Sequence, residues 1–301
     1  MKKPLLILLL LLTFSSIALA QTNKPIRVVT TIGQLTDTVN NIGAKTVDVK
    51  GLMGAGVDPH LYKATEGDLR KISDAQIIIY NGLLLEAKLE PILEKMARNK
   101  KTVAAGEAAP IEKRLDSVDY PGHFDPHIWF DVTLWMEVAK KISAELSAFN
   151  PGDKSLYDEN TARYLAELEK LHAYVYSRAN ELPKGQRVLI TAHDAFRYFG
   201  KAYGFEVIGL QGISTQAEAG TKDVIALADF IAERKIKAIF IESSVPERNI
   251  KAVQEAVKSR GWDVAIGGEL FSDAMGDEGT FEGTYIGMIT HNIDTIVNAL
   301  K

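Results

Sequence analysis

The stretch Asp153–Asn180, DKSLYDENTARYLAELEKLHAYVYSRAN, contains neither glycine nor proline, and Pro151 and Pro183 stand just outside it. Its alternation of Leu, Tyr and Ala with Glu, Lys and Arg predicts one uninterrupted helix. At ~1.5 Å of rise per residue such a helix would reach about 42 Å. A flexible interdomain hinge would be rich in Gly or Ser, or would cross between lobes more than once. A single stiff helix at mid-chain predicts two lobes held at a nearly fixed separation.

The flanks repeat one grammar. Upstream, the apolar runs Ile26–Ile32, Val47–Leu52, Gln76–Tyr80 and Thr102–Ala105 alternate with amphipathic stretches at Thr36–Ile42, Asp68–Ile72 and Leu84–Met96. Downstream, Arg187–Thr191, Phe205–Leu210, Ala238–Glu242 and Asp263–Gly267 read as strands, and Thr221–Arg234, Pro246–Arg260 and Tyr285–Leu300 as helices. Strands alternating with helices predict βαβ units and mostly parallel sheets. The fold class is therefore α/β, with two (β/α) lobes joined by a single long α-helix. The expected division is 1–20 leader, 21–150 N-terminal lobe, 151–183 connector and 184–301 C-terminal lobe.

The leader has its own signature. Lys2 and Lys3 precede the apolar run Leu5–Leu12, and Ala18-Leu-Ala20 supplies a small-x-small cleavage pattern. This is a secretory signal peptide, and it points to the periplasm. Cleavage would remove both lysines, leaving 33 basic and 39 acidic residues, a net charge of −6 against −4 for the whole chain of 301. That balance carries no basic footprint for nucleic acid. The chain has no cysteine, so thiol catalysis, thiolate metal ligation and a Cys-linked lipid anchor are excluded.

The chemistry rests with histidines and one aspartate. His60 follows the run ending at Leu52, in Gly56-Val-Asp-Pro-His60; His127 sits in His123-Phe-Asp-Pro-His127; His193 closes Ile190-Thr-Ala-His193. Asp273 lies beyond the last strand, in Gly268-Glu-Leu-Phe-Ser-Asp273. Ligands of open α/β sheets bind at the carboxyl ends of the strands, and three imidazoles with one carboxylate suit a divalent transition metal. Proline before His60 and His127 stiffens the backbone that presents them. Asp58 and Asp125 are candidate acceptors for the imidazoles, or simply turn formers. Asp131 reads as a helix N-cap, and Glu242 as a strand end facing the cleft. His123 stands close enough in sequence to meet an ion; His172 and His291 read as structural. No nucleophile elbow, phosphate loop or dinucleotide fingerprint is present.

In combination, Gly56-Val-Asp-Pro-His-Leu-Tyr62, Asn81-Gly82, Asp125-Pro-His-Ile-Trp-Phe-Asp131, Thr191-Ala-His-Asp-Ala-Phe196, Phe240-Ile-Glu-Ser-Ser244 and Glu269-Leu-Phe-Ser-Asp-Ala-Met-Gly276 are specific. The chain resembles the solute-binding proteins of metal ABC transporters, the zinc/manganese group called cluster A-I, from about Ile26 to its end. The resemblance implies a metal buried in the interlobe cleft on His60, His127, His193 and Asp273. It also implies a non-catalytic, monomeric carrier that delivers Zn²⁺ or Mn²⁺ to a membrane permease. Three departures stand out. The third ligand is His193 where manganese-dedicated members often have Glu, and the His-rich loop of zinc-dedicated members is missing. Thr65 also replaces the proline common after the first ligand, which bears on a helix start. Nitrogen-rich ligation favours Zn²⁺ over Mn²⁺, and affinity should fall as pH drops through about 6–7. The competing reading is an exported zinc hydrolase on the same cluster, with Glu242 as its base.

Overall fold

The structure, a computed structural model, describes residues 24–301; the expected leader lies outside the described residues. The first half runs β1 (Ile26–Thr30), α1 (Gly33–Gly43), β2 (Val47–Gly51), α2 (Glu66–Asp74), β3 (Ile77–Tyr80), α3 (Glu90–Ala97) and β4 (Lys101–Ala104). Its strands form one parallel sheet of order β2-β1-β3-β4, with Val28 paired to both Val49 and Ile77. The central strands are covered on both faces, which is why Val28, Val29 and Ile77–Ile79 are an unbroken buried apolar set.

Then come α4 (Val132–Phe149) and α5 (Lys154–Ala179), followed by β5 (Val188–His193), α6 (Arg197–Tyr203), β6 (Glu206–Gln211), α7 (Thr221–Arg234), β7 (Ala238–Glu242), α8 (Arg248–Lys258), β8 (Ala265–Leu270) and α9 (Tyr285–Leu300). The second half holds two parallel ladders, β5-β6 and β7-β8. Because β5 lies beside β7, the order β6-β5-β7-β8 reproduces that of the first sheet.

The long stretch read from sequence is α5, 26 residues without a break. Tyr157, Tyr164, Leu168, Leu171 and Val175 form its buried face, at the spacing a 3.6-residue period requires. Near its start, Thr46 donates to the Tyr157 hydroxyl (3.0 Å) and the Asn160 amide to the Ile42 carbonyl (2.9 Å). Near its end, Arg178 Nε donates to Asp294 of α9 (2.7 Å). One helix thus grips both halves. Beside it, Leu35 and Val39 of α1, Trp135 of α4 and Tyr285 and Met288 of α9 belong to a single apolar core. Trp135 stacks on Tyr285 with centroids 5.2 Å apart. Each such side chain contributes roughly 1.5–3 kcal/mol by burial, so this flank of the seam is firmly closed. A second core fills the outer part of the C-terminal half, around Ile190, Leu227, Ile239 and Val253.

Two expectations are corrected and one helix is added. The helix read at Leu84–Met96 begins only at Glu90. Leu83 and Leu84 hold φ of 56° and 66°, left-handed values that L-residues resist. The Glu86 carboxylate fixes the turn by accepting the Asn81 and Gly82 amides, and Pro91 then occupies the first helical turn. Helix α6 was not foreseen, since seven residues with Gly200 at their centre carry no readable period. Strand β8 runs to Leu270 rather than stopping at Gly267. A side chain at Gly267 would strike the Phe240 ring and Ala299, so this glycine marks close approach and not a strand end. Among the described residues no helix is long and apolar enough to cross a membrane.

Candidate metal centre

Four side chains reach one point from four separate connections. His60 lies in the loop between β2 and α2; His127 opens the helical turn Ile128–Phe130 before α4; His193 ends β5; Asp273 follows β8. Each segment is shaped locally. Asp58 Oδ1 accepts the His60 amide (2.8 Å) and Asp125 Oδ1 the His127 amide (3.0 Å), so both Asp-Pro-His segments fold as Asx turns. Asp131 caps α4 by accepting the Thr133 amide (2.9 Å). Thr65 caps α2, exchanging hydrogen bonds with Asp68 in a capping box. The Thr at this position thus starts the helix by capping it.

One ligand atom from each of His60, His127, His193 and Asp273 lies within 4.8 Å of all the others. The Nε2 atoms of His60 and His127 are 3.3 Å apart. Asp273 Oδ1 is 3.4 Å from His127 Nε2, and its Oδ2 is 3.2 Å from His193 Nε2 and 3.6 Å from His60 Nε2. None of the four residues is more than 2% exposed. His193 Nε2 and both Asp273 oxygens are buried without a hydrogen-bond partner. Orphaned polar atoms in a dry interior cost about 1–3 kcal/mol each, and three converging on one point are the mark of a cation site.

The rings are held from behind. Asp125 Oδ1 faces His127 Nδ1 at 2.8 Å, and Glu242 Oε2 faces His193 Nδ1 at 2.5 Å. A carboxylate on Nδ1 leaves Nε2 as the free lone pair once the ring is neutral. Glu242 Oε1 also accepts the His193 amide (2.8 Å), so both its oxygens are committed to positioning. Burial lowers the His60 pKa to about 3. Burial also disfavours charge on His127, but Asp125 and Asp273 outweigh it and hold that ring at about 9. His193 is raised well above its ordinary value because Glu242 and Asp273 likewise overcome burial. Burial opposes ionisation of Asp273, yet the His193 and His127 imidazoles keep its carboxyl well below the usual range.

The remaining histidines stand apart. His123 is exposed, and its main chain closes a turn with Ser117 and Tyr120. His172 Nδ1 meets the Tyr203 hydroxyl (3.1 Å), and His291 Nε2 donates to the Glu269 carbonyl (3.0 Å). Two contributors were not legible in the sequence. Gln34 Nε2 donates to the Asp273 carbonyl (3.2 Å), and Trp129 Nε1 to the Ser272 carbonyl (3.1 Å). Both belong to the N-terminal half and pin the turn bearing Asp273 from across the seam. The only sequence signal for Trp129 was its place two residues after His127; Gln34 carried none.

Two parallel-sheet halves are thus braced by one long helix around a buried His₃Asp cluster. Residues 28–299 match the family described as zinc-uptake complex component A, periplasmic, and the chain belongs to that family, the substrate-binding component of metal ABC transporters. It is 52% identical over 287 residues to the zinc-binding protein TroA of Treponema pallidum (strain Nichols), spanning 95% of this chain and 92% of that protein. It is 46% identical over 279 residues to the manganese-binding lipoprotein MntA of Bacillus subtilis (strain 168), spanning 93% and 91%. The solved structure of periplasmic zinc-binding TroA from Treponema pallidum superposes with a TM-score of 0.90 at 53% identity, covering 92% of this chain and 99% of that one. The family serves transport and not catalysis.

Proposed function

We propose that this chain carries one divalent transition-metal ion on His60, His127, His193 and Asp273, and hands it to the membrane permease of a metal ABC transporter. The observation that carries the reading is the set of buried, partnerless atoms, His193 Nε2 and both Asp273 oxygens, gathered with two further imidazoles. Three nitrogens and a carboxylate favour Zn²⁺ over Mn²⁺ at equal free concentration; manganese fills such a site where free zinc is scarce. The chain is not itself an enzyme in this reading. Glu242, the one candidate base, spends both oxygens on His193. The leader 1–20 directs export to the periplasm and is cleaved after Ala20, leaving lobes 21–150 and 184–301 about the connector 151–183. The test is elemental analysis of the natively exported protein followed by competitive Zn²⁺/Mn²⁺ titration. His193→Ala should lose about a hundredfold or more in zinc affinity while the metal-free fold persists, given that ~10–16 kcal/mol of binding is shared among four ligands in a closed zinc site. Parental affinity in that variant would remove His193 from the ligand set.

A further inference from the structure

Every ligand is buried, so an ion enters and leaves only if part of the wall gives way. The four ligands are not equally anchored. His127 and His193 are each braced by a carboxylate on Nδ1, and the Asp273 turn is pinned by Gln34 and Trp129. Among the described residues no carboxylate braces the His60 ring. His60 sits in the connection 52–65, outside any helix or strand, and its neighbour Leu61 is 43% exposed whereas Ile128, next to His127, is fully buried. His60 is therefore the ligand closest to the surface and the least braced.

What holds its loop is Asp58. One oxygen accepts the His60 amide at 2.8 Å; the other accepts the hydroxyl of Thr215, from the opposite half, at 2.6 Å. Thr215 belongs to the irregular connection between β6 and α7. The same connection is clasped once more from the N-terminal half, where Asp119 Oδ2 accepts the Ile213 amide at 2.6 Å. A side chain at Gly212 would meet the Asp119 carboxylate. This rim of the seam is polar, in contrast to the apolar flank along α1, α4 and α9.

We propose that the Asp58–Thr215 hydrogen bond is the latch that sets the residence time of the bound metal, and that the ion leaves beside His60 when it opens. Asp58 acts as a positioning residue: it ties the main chain of a ligand to the opposing lobe, so separation of the rim displaces His60 before any other ligand. The proposal rests on the metal-binding reading above.

The test uses the mature full-length chain loaded with Zn²⁺ and mixed with excess chelator. Zinc stoichiometry of the parent is measured first; a parent that binds no zinc overturns the metal-binding reading, whatever the variants do. With a loaded parent, Thr215→Val should release zinc about tenfold faster or more, the range expected for a lost hydrogen bond to a charged group. Thr215→Ser, which keeps the hydroxyl, should restore release to within about twofold of the parent. Asp58→Asn combined with Thr215→Val should add little to the valine variant alone. The metal-free melting temperature of Thr215→Val should fall by only a few degrees, the share of one hydrogen bond; if that variant misfolds, Thr215→Ala takes its place. Release from the valine variant within about twofold of the parent, or a serine variant as fast as valine, overturns the latch.

Discussion

The tripeptide Asp-Pro-His occurs twice, at 58–60 and 125–127, and the two copies do different work. Both aspartates accept the amide of their own histidine. Asp125 then turns back to the His127 ring (2.8 Å), and Arg197 reaches its other oxygen at 3.3 Å. Asp58 instead points away from His60 and reaches Thr215 in the other half. The second motif is buried beneath α4 and α6, while the first lies one residue from solvent. One local sequence thus turns its aspartate onto its own histidine ring in one setting and across to the other half in the other. The difference comes from what packs around the turn.

The sharpest way to break this contrast is to neutralise each aspartate. Asp125→Asn should weaken equilibrium zinc affinity by about ten- to a hundredfold, since the brace that orients and enriches His127 is lost. Asp58→Asn, with no imidazole to release, should fall well short of that loss in a competitive chelator titration. Equal losses would mean that the two motifs are equivalent.

The rings should also differ in proton bookkeeping. Metal-free His127 is held at about 9 and His60 at about 3, so at pH 7 the former carries a proton and the latter does not. On the proposed ligand set zinc displaces the His127 proton, and affinity should keep rising up to pH ~9 rather than levelling near 7, which moves upward the window expected from unperturbed histidine. Calorimetry at pH 7 in buffers of different ionisation enthalpy should detect this release, and Asp125→Asn should reduce it. The sign for stability follows. A folded value above the unfolded 6.5 stabilises the metal-free protein at and below pH 6.5, and that contribution disappears as pH rises through about 9. The melting temperature of stripped protein should therefore decline across that interval.

The smallest effect concerns the helices that follow the two motifs. Thr65 caps α2 and Asp131 caps α4. Thr65→Ala should cost about 1 kcal/mol, a shift of roughly 2–4 °C in thermal melting, with zinc affinity unaltered. A change in affinity would show that the cap also places His60.

Much of this was legible in sequence because it rests on periodicity and on strand ends. The buried faces of β1, β3, β5 and α5 follow from local pattern; the places of His60, His193 and Asp273 after strands, and the second Asp-Pro-His at His127, singled out the four residues that the structure brings together. What escaped was non-local. The left-handed Leu83 and Leu84 depend on Glu86 capturing two amides, and the duties of Gln34, Trp129 and Thr215 exist only because the halves face each other. Nothing within Asp-Pro-His says whether the aspartate turns to its own histidine ring or to the other half.

The apolar core along α5 has a consequence for how the molecule comes apart. Its members come from α1, α4, α5, α6 and α9 alike, so the unit that repeats along the chain is not the unit that melts. Removing either half would strip the other of a wall, and the seam flank together with the first sheet should unfold as one cooperative block. The outer layer flanking β5–β8, with its own core, has the means to loosen separately.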